Sequence, residues 1–217
     1  MGRFALRRIL ALAVVILSAG LVLHDAAVAP AARRSTADVA MIQARLAELG
    51  YLPAAAVHGS LNERTRQAIV AFQGWEGLER NGVAGQATLA RLAAAARPLP
   101  FPGSGSRIEV HLDRQVALLV RGKTVERAIH VSTGASGTPT PTGNFRVYRK
   151  ERNSWSFPYS VWLPWASYFT GGVAFHGHAE VPPQPASHGC VRIPLAEAPT
   201  VYAFARGGSS RTSLPVT

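Results

Sequence analysis

The sequence predicts two domains: a small all-α domain of three helices, then a mostly-β domain, a β-sandwich or mixed sheet with one short helix. Two observations carry that expectation. Apolar residues recur at helical spacing up to about Ala96 and at alternate positions after Arg107, so the period of burial changes along the chain. Between the two lies RPLPFPGSGSR, where Pro98, Pro100 and Pro102 precede Gly103 and Gly105. Proline stiffens such a stretch, glycine and serine loosen it, and neither continues a helix. The boundaries follow as a leader over 1–32, a helical domain over 36–96, a linker over 97–106 and a second domain over 107–217.

The leader comes first. Arg3, Arg7 and Arg8 precede an unbroken apolar and small run from Ile9 to Leu23, and Ala27, Val28 and Ala29 follow. Charge, apolar core and small residues in that order form an export signal. The run is short for a membrane span, which needs roughly 20 apolar residues. Pro30 sits badly after a cut at Ala29, so both a cleaved signal and a retained anchor in the membrane stay open. Either way the remainder is expected outside the cytoplasm, in the periplasm or cell wall, or held at the outer face of the plasma membrane.

In the helical domain, Val39, Ile42, Leu46 and Leu49 repeat on one face, with Gly50 placed to end the first helix. Asn62 is a good N-cap for a second helix whose face carries Thr65, Ile69 and Phe72. A third helix is expected from Gln86 to about Ala96, before Pro98. In the second domain, Ile108, Val110 and Leu112 alternate with Glu109, His111 and Asp113. Val116–Val120 and Thr124–Ser132 read as strands joined by Arg121-Gly122-Lys123. Thr133–Phe145 is dense in turn formers, and an aromatic segment, WSFPYSVWLPWASYF, follows. Its Trp155, Tyr159, Trp162, Trp165 and Tyr168 are expected mainly in the core, with one or two free to line a binding surface. Ala196–Ala205 is the one helical stretch, weakened by Pro199, and Thr212–Val216 is a loosely defined last strand.

Cys190 is the only cysteine, so no intramolecular disulfide exists. In an oxidising compartment an odd cysteine points to a reactive thiol or an intermolecular bridge. A thiol becomes a nucleophile as its thiolate, and a nearby imidazole both takes the proton and stabilises the charge. His188, two positions away, shares a face with Cys190 if the backbone is extended, and not in a turn. His176 lies fourteen positions upstream, and a loop containing Pro182, Pro183 and Pro185 could return the chain to it. Gly189 allows close backbone approach and could offer amide donors to an oxyanion. Two other chemistries fit the residue types alone. His176, His178, His188 and Cys190 could hold zinc in a tetrahedron, and Cys190 could be a small buried hydrophobe.

The formal net charge is +11, carried almost wholly by arginine and partly by the leader. Such a chain favours polyanionic surroundings, including an anionic cell wall. The charges are scattered, no nucleic-acid motif is present and the leader argues for export, so nucleic acid is not expected as a partner.

Two resemblances add to this. MIQARLAELGYL and HGSLNERTRQAIVAFQGWEGLERNGVAGQATLARL, over Val39 to Leu92, resemble the peptidoglycan-binding domain found beside bacterial wall hydrolases and transpeptidases. Gln43, Leu46, Gly50 and Tyr51 match its first helix and turn, Thr65, Ala68, Phe72 and Gln73 its middle helix, and Asn81, Gly82, Thr88 and Leu89 its end. His58 stands where an aspartate is usual. These are mostly core and turn positions, so the resemblance implies a fold and leaves both glycan binding and a packing role open.

SHGCVRI, Ser187 to Ile193, with FHG at Phe175 to Gly177, resembles the signature of the L,D-transpeptidases, cysteine enzymes that cross-link peptidoglycan. IEVHLDRQVALLVRGKTV, VSTGASGTPTPTGNFRV and SVWLPWASYFTGGVAFHG extend the likeness in the right order across Arg107 to Thr217. The resemblance implies Cys190 as nucleophile and His176 as base, oriented by the Gly177 carbonyl. It implies that His188 and Gly189 shape the nucleophile loop and supply oxyanion amides, and that Ser187 and Arg192 brace the loop or touch substrate, Arg192 by a carboxylate contact or a loop hydrogen bond. His178 departs from the small hydroxyl residue common there. The implied reaction forms a Cys190 thioester with a tetrapeptide stem, releases D-alanine and transfers the acyl group to an amine, or to water as an L,D-carboxypeptidase. A catalytically inactive wall-binding protein is the alternative from another class. No cofactor or metal is implied, the partners are stem peptides and glycan, and carbapenems are expected to acylate Cys190.

Overall fold

The computed structural model describes residues 35–205 and the strand at 211–213. The expected leader over 1–32, and residues 214–216 of the expected last strand, lie outside the described residues. Among the described residues no helix is long and apolar enough to cross a membrane.

The helical module comprises α1 (Thr36–Glu48), α2 (Glu63–Trp75) and α3 (Gln86–Ala94), with a short 3-10 turn at Ala54–Ala56. Helix α1 begins where Ser35 and Asp38 form a capping box, which satisfies amides that otherwise lack partners at a helix start. It ends at Leu49, and the chain turns away through Gly50 at φ +89. Asn62 caps α2 by accepting the Thr65 amide at 2.9 Å. Helix α3 stops at Ala94, two residues before the expected end, because Ala95 is already extended ahead of Arg97-Pro98. Two buried glutamines knit the module. Gln43 donates to Ser60 O and Thr65 Oγ1 and accepts the His58 and Gly59 amides. Gln73 donates to Asn81, Val83 and Thr88 and accepts the Gly82 amide. Each amide group is thus saturated, which lets a polar side chain sit in a core without penalty. The turn at His58 is closed by Gln43 and by the Ser60 amide, which donates to the imidazole Nδ1 at 3.2 Å.

The second domain is two stacked sheets. One has the order β3-β2-β1-β9-β4, from β1 (Ser106–His111), β2 (Val116–Arg121), β3 (Thr124–His130), β4 (Asn144–Phe145) and β9 (Arg211–Ser213). The other has the order β5-β6-β7-β8, from β5 (Arg149–Ser156), β6 (Val161–Thr170), β7 (Val173–His178) and β8 (Val191–Pro194). Between them Ile108, Val110, Ala117, Leu119 and Ile129 meet Phe169, Phe175, Val191 and Ile193, with Val201 of α4 (Ala198–Phe204) closing the core.

The outer face of the first sheet is also covered. Val116, Leu118, Val120, Val125 and Ala128 share one core with Leu46, Leu52, Ile69 and Phe72 of the helical module. That is why Val116–Val120 is continuously apolar rather than alternating: both faces are buried. It is also why the polar positions of β1 do not mark a wet face. Glu109 is fully buried and His111 nearly so, under Phe101 stacked on the imidazole at 4.9 Å and Trp75 edge-on at 4.9 Å. The Pro/Gly stretch is pinned rather than loose. The Phe101 amide donates to Glu109 Oε2, and Arg107 donates to the Phe101 carbonyl.

The aromatic segment is a strand, a turn and a second strand, and this splits its residues. Tyr168 is buried and Trp165 partly so, whereas Trp155, Tyr159 and Trp162 are exposed near the turn. The expectation of a mainly buried set therefore holds at the sheet's centre and not at the hairpin's end.

Candidate active site

Strands β7 and β8 are parallel, with Phe175 opposite Val191, His176 opposite Arg192 and Gly177 opposite Ile193. Side chains alternate along a strand, and paired residues point to the same side. Phe175, Val191 and Ile193 fill the core between the sheets, so His176 and Arg192 take the opposite face. Cys190 immediately precedes β8, and its Sγ lies 3.9 Å from the Gly172 carbonyl oxygen, to which it donates, with the Ala174 backbone also acting on the thiol. The parallel return thus gathers Cys190, His176 and Arg192 on the outer side of the second sheet, and the Arg192 charge acts on both of the others.

His176 is almost fully buried. Its Nδ1 lies 2.9 Å from the Gly177 carbonyl oxygen and donates to it, which leaves Nε2 with the lone pair. Burial pushes the imidazole pKa down to about 4, the Gly177 hydrogen bond opposes this, and the charges of His178 and Arg192 add to the lowering. Burial pushes the Cys190 thiol up, against the Ala174 hydrogen bond and the Arg192 charge, which lower it. Burial thus favours the neutral form of each group, a thiol and an uncharged imidazole.

The loop before Cys190 is bent, with Gly189 at φ +110, a conformation that favours glycine. In that bend the sharing of a face expected between His188 and Cys190 fails. His188 is exposed and stacks on Tyr159 with ring centroids 4.7 Å apart. Ser187 is the internal brace: its Oγ donates to the Cys190 carbonyl and accepts the Gly189 amide at 3.1 Å. The Gly189 amide is therefore committed to Ser187, and the oxyanion role expected of it is not available in this arrangement.

The loop before Cys190 is also sewn to Thr133–Thr140. Thr138 Oγ1 donates to the Ser187 carbonyl at 3.1 Å and Thr140 Oγ1 to the Gly189 carbonyl at 2.8 Å, while Thr140 accepts the Gly134 amide. A β-carbon on Gly134 would lie 2.1 Å from the Thr138 carbonyl oxygen, so the close approach requires glycine. Sequence reasoning left Thr138 and Thr140 as generic turn residues. Paired hydroxyls inside a proline-rich turn were the available signal, but their partners lie 49 positions away.

Arg192 is half-buried, its backbone pairs both ways with Ser132, and no carboxylate pairs with its guanidinium among the described residues. His178 is half-buried, bonded to the Glu180 backbone and edge-on to His176 at 6.1 Å. No group of three or more His, Cys, Asp or Glu side chains is arranged to hold a metal among the described residues. His188, one of the four donors the zinc geometry needs, is turned onto Tyr159 instead.

Residues 105–216 match the model of the L,D-transpeptidase catalytic domain, and residues 35–92 that of a peptidoglycan binding domain. Among solved structures, the chain is similar to the L,D-transpeptidase of Xylanimonas cellulosilytica, with 35% identity, a TM-score of 0.75, and coverage of 82% of this chain and 93% of that one. It is also similar to an L,D-transpeptidase of Stackebrandtia nassauensis, with 25% identity, a TM-score of 0.54, and coverage of 84% and 91%. Among curated proteins none is a significant match.

Proposed function

From the premise that this chain belongs to the L,D-transpeptidase family, we propose that it cross-links or remodels peptidoglycan outside the cytoplasm through a Cys190 thioester. The observation that carries the proposal is the parallel β7–β8 register, with His176 opposite Arg192 and Cys190 one step before β8.

In the proposed sequence, Cys190 Sγ gives its proton to His176 Nε2 and attacks the carbonyl of the third residue of a tetrapeptide stem. The tetrahedral oxyanion collapses to a thioester as the C–N bond to D-alanine breaks, and His176 returns the proton to the departing amine. An acceptor amine, giving its proton to His176, attacks the thioester carbonyl and restores the thiol. Water in the acceptor's place gives L,D-carboxypeptidase activity from the same intermediate. Such a route predicts a trappable acyl-enzyme and needs no cofactor. The helical module fits a role in holding the enzyme on its polymer. Arg192, with no carboxylate beside it among the described residues, fits the stem's free carboxylate.

The test is acylation by imipenem, followed by intact-protein mass spectrometry, together with muropeptide analysis after incubation with purified tetrapeptide substrate. One adduct per chain, lost in Cys190→Ala, and a cross-linked or shortened product are expected. Wild-type protein that stays unmodified, with substrate unchanged, would favour the inactive wall-binding alternative.

A further inference from the structure

Glu197, just before α4, is nearly buried, yet both carboxylate oxygens are taken by arginines from elsewhere in the fold. Arg64 Nε, from α2 of the helical module, donates to Oε1 at 2.7 Å, and Arg127 Nη2, from β3, donates to Oε2 at 2.8 Å. Arg64 also reaches the Ala196 carbonyl at 3.4 Å. Burial pushes the Arg127 guanidinium pKa down while the Glu197 charge raises it, and Arg127 Nε and Nη1 have no hydrogen-bond partner among the described residues. Glu197 is thus the main compensation for a buried cation.

The turn that Glu197 anchors touches the catalytic strand. The Glu197 amide donates to the Pro194 carbonyl at 2.8 Å, and its carbonyl accepts the Val201 amide, so the carboxylate and the start of α4 move together. Leu195 and Ala198, on either side, press on Gly177 so closely that a β-carbon there would lie 2.9 Å from Leu195 Cδ2 and 3.0 Å from Ala198 Cβ. Gly177 is the residue whose carbonyl fixes the His176 tautomer.

We propose that Arg64 acts through Glu197 as a positioning residue for His176: the helical module clamps the Pro194–Ala198 turn, and that turn holds the Gly177 carbonyl under the imidazole. The module then has a second role besides binding, setting the geometry of the proton-transfer group from outside the catalytic domain. The inference rests on the role proposed above for His176.

The test compares full-length wild type with Arg64→Gln, Arg64→Lys and Arg66→Gln. Arg66 lies on the same helix, pairs with Glu63 on the helix surface, and serves as the control. Two quantities are read: the imipenem acylation rate and the nitrogen NMR signals of the His176 ring. Arg64→Gln is expected to acylate about tenfold more slowly, in line with the cost of small misplacements, and to lose the single Nδ1–H form. Arg64→Lys should recover part of both, and Arg66→Gln should match wild type. A wild-type rate with unchanged ring signals in Arg64→Gln would overturn the inference, as would an equal loss in Arg66→Gln. If Arg64→Gln does not fold, Glu197→Gln, which keeps an acceptor and lacks the charge, gives the same two readouts. Failure of wild type to acylate would sink the transpeptidase proposal instead, and the ring signals would still decide whether Arg64 governs His176.

Discussion

The imidazole of His176 is held by the carbonyl of its own neighbour, Gly177, at 2.9 Å. A single backbone acceptor thus selects which ring nitrogen carries the proton, and the other is left to accept one. Among the described residues no carboxylate holds the ring. A backbone oxygen cannot move without moving β7, so the fixity of the imidazole depends on what packs behind Gly177.

Gly177→Ala tests that dependence. The added methyl group would meet Leu195 Cδ2 at 2.9 Å, Ala198 Cβ at 3.0 Å and the Pro164 carbonyl oxygen at 3.4 Å, so the strand must shift to admit it. Overpacking of this kind costs about 1–3 kcal/mol, and the displaced carbonyl should lower the imipenem acylation rate by about 100-fold. His176→Gln should lower it by about 100- to 10,000-fold while leaving Cys190 in place. Mass-spectrometric acylation rates beside thermal unfolding curves separate the two effects.

Ser187→Ala is expected to split two reactivities. The hydroxyl bridges the Cys190 carbonyl and the Gly189 amide, and each lost bond is worth about 1 kcal/mol. A loosened loop should expose the thiol to iodoacetamide and speed alkylation. The same loosening should slow acylation by imipenem, which needs the carbonyl held in line. Parallel changes in both rates would mean that Ser187 governs only access.

Much of this architecture was legible because it is local. The repeat of Val39, Ile42 and Leu46, the Asn62 cap and the alternation of Ile108 and Val110 each arise from contacts within one element. The placement of Cys190 and His176 on one side of the second sheet was legible only through a family resemblance, since the thirteen residues between them carry no geometric constraint. What stayed hidden is nonlocal. No pattern within β1 tells that Glu109 and His111 lie beneath Trp75 and Phe101, because the covering residues come from two other segments. The turn of His188 toward Tyr159 depends on a hairpin some thirty positions upstream and on the positive φ at Gly189.

Glu109→Ala should be among the most destabilising single changes. Glu109 is fully buried, pairs with buried Arg107 at 2.6 Å, accepts the Phe101 amide at 3.1 Å and lies 3.6 Å from His111. Its removal leaves a guanidinium in the core with only the Gly122 and Phe101 carbonyls. Breaking a buried pair from one side costs about 3–5 kcal/mol. Changing both Arg107 and Glu109 to leucine should cost less than Glu109→Ala alone, since no unpaired charge stays in the core, although the Phe101 amide and the Gly122 and Phe101 carbonyls lose their partners. Urea denaturation of wild type, the single and the double variants checks the order.

Stability should fall as the medium is acidified, and two histidines account for it. His130 is buried against the Gln115, Val181 and Pro182 carbonyls, and burial pushes its pKa down to about 4, as it does for His176. The ordinary imidazole value is about 6.5. Between those values the unfolded chain takes up protons that the folded chain refuses. Folding stability is therefore fully present above about pH 6.5 and is lost as pH falls toward about 4. Each histidine contributes a slope of up to about 1.4 kcal/mol per pH unit in that window. His176→Gln should remove roughly half of the combined slope, leaving the part that belongs to His130. Urea midpoints measured in steps from about pH 7 down to about pH 4.5 give both slopes. A wild-type curve flat across that window would show that the two imidazoles are protonated in the folded protein, and that the burial of His176 does not keep it neutral.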